Sequence, residues 1–311
     1  MLDVLSKSFF HALARSKSLE QMASQYGMAK PTSFARRFIA GEHVNEAIEA
    51  ARVIRTQGMA LTLDQLGESV TTLADADAAT RGYLALVEAI VADGIDRNIS
   101  IKLTQLGLDI DTAVCTVNVK RILDLAKQHD FFVRVDMENT PYIQRTLELF
   151  TAIWGQGYRN TGVVLQSMVF RSEEDARTMC ALGARVRLVK GAYKEPAALA
   201  YQAKADVDAA YVRIMKALLS EGHQPAIATH DPAMVDATKA FAAERHIAKD
   251  SFEFQMLYGI RRDLQAQLVA DGYRMRVYVP FGKQWFPYFM RRLGERPANV
   301  GFVLKGIFGE R

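Results

Sequence analysis

From residue 58 onward the chain alternates between two textures, and it does so eight times. Short apolar runs rich in β-branched and aromatic residues occupy positions 59–63, 99–103, 131–135, 162–165, 185–189, 226–229, 252–257 and 275–279. Amphipathic helical patterns separate them, over 75–93, 112–128, 141–155, 173–182, 196–221, 232–245 and 260–270. Pro141, Pro196 and Pro232 open three of these helices, where a missing N–H costs nothing. Gly94, Gly183, Gly222 and Gly272 close several. Strand and helix repeated in this way predict an α/β protein whose parallel sheet closes into a (β/α)8 barrel. A doubly wound open sheet is the runner-up. No Gly-x-Gly-x-x-Gly follows any of the strands, so a dinucleotide would not be held in the Rossmann manner.

The first 57 residues have a different character and read as a helical arm, interrupted at Pro31-Thr32-Ser33 and again at Gly41. The expected division is therefore an arm over 1–57 and a barrel over 58–311. Phe302, Val303, Leu304, Ile307 and Phe308 read as the docking face of a last helix. A net charge of +4 is mild and its basic residues are dispersed, which argues against a nucleic-acid partner. Cys115 and Cys180 are far apart and form no metal-spaced pair, as expected of thiols in a reducing compartment. The six histidines lack metal-ligand spacing. No stretch reads as a signal peptide or approaches the roughly 18 apolar residues of a membrane span. The expectation is a cytoplasmic protein with at most peripheral membrane contact.

Polar residues gather where a barrel places its chemistry, at the carboxyl ends of the strands. In strand order they are Asp64 and Glu68, Lys102, Asp136 and Glu138, Gln166, Arg187 and Lys190, Thr229 and His230, Gln255, and Tyr278. After the eighth strand comes Tyr288-Phe-Met-Arg291-Arg292-Leu-Gly-Glu295. At about 100° per residue, Tyr288, Arg291, Arg292 and Glu295 share an arc of roughly 100° on a helix. Adjacent guanidiniums offer rigid forks of donors that suit a small carboxylate-bearing substrate, and this helix could cover the barrel mouth.

Plainer readings stand beside these. Lys102 and Arg187 could be salt-bridge partners of Asp136 and Glu138. His230 could be a turn residue ahead of Asp231-Pro232, and Glu68 a helix-start acid. Trp285, Phe286 and Phe289 read as packing. At the level of function, a lysine such as Lys102 or Lys190 at a strand end could form the Schiff base of a class I aldolase. A basic scaffold protein is a third reading.

Several segments are more specific. Arg187-Leu-Val-Lys-Gly-Ala-Tyr193, Ala228-Thr-His-Asp231, Glu253-Phe-Gln-Met-Leu257 with Gly259, and the Tyr288 to Glu295 motif occur in that order. Leu66-Gly-Glu68, Ser100-Ile-Lys-Leu103 and Asp136-Met-Glu138 accompany them. From Leu61 to Arg311 the chain resembles the proline dehydrogenases, including the equivalent domain of bifunctional proline-utilisation flavoproteins. The resemblance implies a distorted (β/α)8 barrel that holds FAD non-covalently and oxidises L-proline to Δ1-pyrroline-5-carboxylate. It also implies hydride transfer from C5 to the flavin N5 and a membrane quinone as final acceptor.

By the same resemblance, Arg291, Arg292 and Lys102 clamp the substrate carboxylate. Tyr278 and Tyr288 wall the pyrrolidine ring, with Leu257 as an apolar contact. Asp136 organises Lys102, and Glu68 pairs with Arg291 as a gate. Arg187 lies near the flavin N5 and Gln166 at the isoalloxazine edge. Lys190, Gly191, Thr229 and His230 contact the remainder of the cofactor, and Glu295 acts towards Arg292 and the flavin. Lys194 replaces a tryptophan of the bifunctional proteins, which matches the single-function branch, so the product is expected to pass to a separate pyrroline-5-carboxylate dehydrogenase.

Overall fold

The computed structural model describes Met28 and residues 33–295. The helices expected before residue 28 and the docking face over 302–308 lie outside the described residues. Eight parallel strands form a closed barrel in sequence order. They are β1 Ala60–Gln65, β2 Asn98–Ile101, β3 Phe132–Val135, β4 Thr161–Gln166, β5 Arg185–Val189, β6 Ala226–Ala228, β7 Glu253–Leu257 and β8 Arg274–Phe281. The described α-helices are α1 Val44–Thr56, α2 Leu73–Asp93, α3 Thr112–Gln128, α4 Thr140–Gly155, α5 Ser172–Ala181, α6 Lys204–Glu221, α7 Pro232–Glu244, α8 Arg262–Ala270 and α9 Phe286–Glu295.

Local chemistry fixes the helix ends. The Thr72 hydroxyl accepts the Asp75 N–H at the start of α2, and Asp111 accepts from Ala113 and Val114 at the start of α3. Each such cap is worth about 1 kcal/mol. One expected start was wrong. α6 begins at Lys204 and not at Pro196. Residues 199–201 instead pair with the loop after β4, through Phe170 N–H to Leu199 C=O and Tyr201 N–H to Met168 C=O. The buried Glu195 carboxylate meanwhile accepts from the Thr140 amide and hydroxyl. These tertiary bonds override the helical periodicity of that stretch.

Successive strand residues face opposite sides of the sheet. The outward set (Leu61, Leu63, Ile99, Ile101, Val133, Val163, Leu188, Phe254 and Val277, among others) is buried under the helices and forms the apolar core. The inward set is unlike the bulky aliphatic filling usual for this architecture. It includes Thr62, Asp64, Ser100, Arg134, Gln166, Arg187 and Gln255, all buried, with the smaller apolar Val164 and Ala226 among them. At the barrel floor Arg276 donates to Glu253 at 2.9 and 3.1 Å. Arg134 there donates to the Arg185 carbonyl at 2.7 Å. The barrel thus separates its stabilising apolar layer, outside, from a polar interior reserved for chemistry.

Two helices depart from the simple repeat. α1 falls in the N-terminal segment, yet its Ala47, Ile48, Ala51 and Ile54 are buried in the same core as the strands. α9 does not pack on the barrel wall. Its Phe286, Tyr288, Phe289 and Leu293 form a second apolar cluster with Phe38, Ile39, Leu66 and Trp285. That cluster seats α9 beside the strand ends. The segment before α1 is pinned there by Ala40 N–H to Pro280 C=O and Gly282 N–H to Gly41 C=O, both 2.9 Å. Gly259 marks the same contact. Its φ is +74°, and a Cβ there would sit 1.7 Å from the Arg37 carbonyl oxygen.

Candidate active site

At the carboxyl ends of β1, β2, β3, β5 and β8, one ionic network fills the barrel mouth. The Lys102 ammonium follows β2 directly and lies 2.9 Å from Asp64 Oδ2 and 3.8 Å from Asp136 Oδ2. Arg187 spans the interior from β5, donating to Asp136 Oδ1 at 2.8 Å and to Ser100 Oγ at 3.2 Å. Its guanidinium carbon also stands 5.3 Å from the Tyr278 ring centre. The Tyr278 hydroxyl bridges the two acids, 2.5 Å from Asp64 Oδ2 and 2.9 Å from Asp136 Oδ2. Burial alone would depress the Lys102 ammonium, but Asp64 and Asp136 outweigh it and hold the amine charged, well above its usual range.

α9 supplies the opposite wall. Arg291 forms a 2.8 Å ion pair with Glu68, which follows β1. Burial works against the Arg291 charge, and Glu68 and Tyr193 more than offset it. Arg292 is only 8% exposed and lies over the Tyr288 ring at 5.1 Å. Both guanidiniums of the motif are therefore withdrawn from bulk solvent. Glu295 closes α9, and its side chain lies outside what the structure describes.

The β4 to β7 side carries the remaining expected residues. Gln166 donates to the Glu138 carbonyl at 2.9 Å. Lys190 is held by Asp208 and Asp231 at 2.5 and 2.6 Å. Burial opposes the Asp231 charge, but hydrogen bonds from Lys190 and Lys204 bring its carboxyl down to about 2. Thr229 Oγ1 accepts the Asp231 N–H, and His230 Nε2 accepts the Leu257 N–H at 2.9 Å. Gly191 has φ +114°, and a Cβ there would come within 2.2 Å of Met168 Sδ and 3.3 Å of Gln166 Oε1. The turn after β5 thus needs glycine, for its positive φ and for the Met168 side chain packed against it.

The sequence pattern described as "Proline dehydrogenase" matches residues 47–305. Proline dehydrogenase 2 of Bacillus subtilis is 40% identical over 304 residues, covering 98% of this chain and 99% of the relative. The chain belongs to the proline dehydrogenase family. The proline dehydrogenase of Deinococcus radiodurans is 41% identical over 311 residues, 99% of each chain. Among solved structures, proline utilization A from Bdellovibrio bacteriovorus inactivated by N-propargylglycine superposes with a TM-score of 0.80 at 29% identity. That match covers 89% of this chain and 34% of the larger protein. Proline dehydrogenase membership implies a flavin in general terms. It also disfavours the aldolase alternative, as does a Lys102 amine held in its charged form beside Asp64 and Asp136, since a Schiff-base lysine must be neutral to attack.

Reasoning from the proline dehydrogenase motifs named Lys102, Asp136, Arg187 and Tyr278, which the structure joins in one network, and Glu68 and Arg291, which it pairs with each other. It gave Asp64 no role beyond a strand-end acid, although Asp64 is the nearer partner of Lys102. The available signal was its alternation with Leu61 and Leu63, which turns an acid into the barrel. Gln105 and Tyr83 were also missed. They join behind the site, Tyr83 donating to Gln105 Oε1 at 2.9 Å.

Proposed function

We propose that this chain oxidises L-proline to Δ1-pyrroline-5-carboxylate in the pocket between the barrel mouth and α9. Proline oxidation is the first step of proline catabolism and the reaction of the family to which the chain belongs. FAD, held non-covalently, supplies the hydride acceptor when bound. The electrons go on to a membrane quinone, and the product to a separate pyrroline-5-carboxylate dehydrogenase. The observations that support this reading are the buried Lys102 at the barrel mouth and the two largely buried guanidiniums of α9, Arg291 and Arg292, to which we assign the clamp of a small carboxylate.

The residues present suit a flavin. Arg187 Nε is buried with no hydrogen-bond partner among the described residues, and its charge would favour electron-rich reduced flavin. Gln166, Lys190, Gly191, Thr229 and His230 are assigned to the remainder of the cofactor. Arg292 and Glu295 are assigned to the same cofactor from α9. Lys190 acts there as a charge fixed by Asp208 and Asp231.

The chain's own part is to bind and orient. Arg291, Arg292 and Lys102 hold the carboxylate, Tyr288 and Leu257 enclose the ring, and Glu68 steadies Arg291 as a gate. Asp136 and Tyr278 fix Arg187 and Lys102 around the reacting carbon. A protonated amine cannot expel hydride, so the substrate nitrogen must be neutral.

The purified protein should show an oxidised-flavin band that disappears on anaerobic addition of L-proline and persists with pyrrolidine, which lacks the carboxylate. A protein without flavin absorbance, or one bleached equally by pyrrolidine, contradicts the reading. Tyr278 also bears on ring selectivity. Tyr278→Ser should raise the kcat/KM ratio of 4-hydroxyproline to proline by about tenfold, the scale of one relieved steric contact. An unchanged ratio removes Tyr278 from that role.

A further inference from the structure

We propose that Asp64 is a neutral acid in the resting protein, and that its neutrality makes the pocket select substrate whose amine has already lost its proton. The inference rests on the reading of this pocket as the proline site. It comes from counting protons around the Tyr278 hydroxyl. That hydroxyl stands 2.5 Å from Asp64 Oδ2 and 2.9 Å from Asp136 Oδ2. One phenolic proton satisfies one of these contacts. With both acids ionised, the other is a meeting of lone pairs that the single Lys102 ammonium, 2.9 Å from Asp64 Oδ2 and 3.8 Å from Asp136 Oδ2, must offset for both carboxylates.

The second proton belongs on Asp64. Asp136 has Arg187 at 2.8 Å on one oxygen and Lys102 at 3.8 Å on the other, and it keeps some solvent exposure. Asp64 is fully buried, receives Lys102 on Oδ2 alone, and has an Oδ1 with no hydrogen-bond partner among the described residues. A carboxylate in low dielectric needs donors on both oxygens, whereas the neutral acid tolerates a bare carbonyl far better. The groups facing Asp64 are Lys102 after β2, Asp136 at the end of β3, Tyr278 on β8 and Tyr83 on α2. Burial pushes the Asp64 carboxyl up and Asp136 reinforces it, while Lys102 and Tyr278 offset this only in part.

The hydrogen bonds then run one way, from Asp64 Oδ2–H to the Tyr278 oxygen and from the Tyr278 hydroxyl to Asp136 Oδ2. With Asp64 neutral, the cluster of Lys102, Arg187, Asp136 and Asp64 carries one net positive charge instead of none. It therefore favours the anionic form of proline, which already has the lone pair that hydride departure requires. Asp64 is a positioning residue in this scheme. It takes no proton from the substrate, because it already holds one.

Two measurements test this. In protein carrying 13C at the aspartate side-chain carboxyl, the infrared spectrum at pH 7 should contain a protonated-acid carbonyl band that shifts with the label and is lost in Asp64→Asn. Asp64 is the one fully buried aspartate among the described residues, so the label also decides the matter in the parent protein should the variant fail to fold. No label-sensitive acid band overturns the proposal. The second is the affinity of the holoenzyme for tetrahydrofuran-2-carboxylate, whose ring oxygen removes the amine from the titration. Its Kd should be flat with pH until Asp64 ionises, then weaken by about tenfold per pH unit, as one linked proton requires. In Asp64→Asn it should stay flat and start from a comparable value. A variant that binds tenfold tighter than the parent throughout pH 6–9 would mean that Asp64 is ionised there and would overturn the proposal. Failure of the analogue to bind at all counts against the substrate reading, and the infrared band then decides the state of Asp64.

Discussion

Arg292→Ala should lower kcat/KM for L-proline by roughly 30- to 4,000-fold, the effect of the 2–5 kcal/mol typical of truncating one partner in a buried charge pair. Arg292 is 8% exposed and is held over the Tyr288 ring at 5.1 Å, so its fork is oriented before substrate arrives. The loss should appear mainly as a raised KM, because a carboxylate is bound equally in the ground and transition states. Arg292→Lys should recover only part of the activity, since an ammonium lacks the planar fork. Arg291→Ala should cost less, as Glu68 already consumes much of that charge at 2.8 Å. Steady-state kinetics on variants with unchanged circular dichroism would decide, and an Arg292→Ala change below threefold would remove this residue from the clamp.

The second large effect is on stability. Arg187→Met removes the closest cation from Asp136 and leaves that carboxylate largely buried at the barrel mouth. Breaking a buried ion pair in this way costs about 3–5 kcal/mol. Denaturant unfolding should show the loss, and Asp136→Asn added to Arg187→Met should restore much of it, because the stranded charge is gone. The same variant should retain less flavin. A loss below 1 kcal/mol, or a double variant no more stable than the single, contradicts the coupling assigned to these two residues.

The barrel was legible because it rests on alternation. Eight short runs and their helices follow from hydrophobic period alone, and β5 occupies 185–189 as expected. What the period could not reveal was tertiary competition. The stretch from Pro196 has helical spacing, but pairing with the loop after β4 takes the Leu199 carbonyl and the Tyr201 N–H, and α6 is delayed to Lys204. The site was legible through its residue types at strand ends, which is why Lys102, Asp136, Arg187 and Tyr278 meet. Their pairing was not, because which acid stands nearest Lys102 depends on barrel stagger. The nearer one is Asp64, a contact across strands β1 and β2 that residue type alone does not specify. His230 shows the opposite limit. A residue that reads equally as cofactor contact or turn residue is seen to accept the Leu257 N–H, a bond that ties β6 to β7.

The most direct test of the account is a crystal structure of the flavin-loaded protein with tetrahydrofuran-2-carboxylate. The account predicts the analogue's carboxylate within hydrogen-bond distance of Arg291, Arg292 and Lys102, with its ring between Tyr278 and the flavin. A carboxylate bound away from α9, or an α9 turned so that both arginines face solvent, would contradict it.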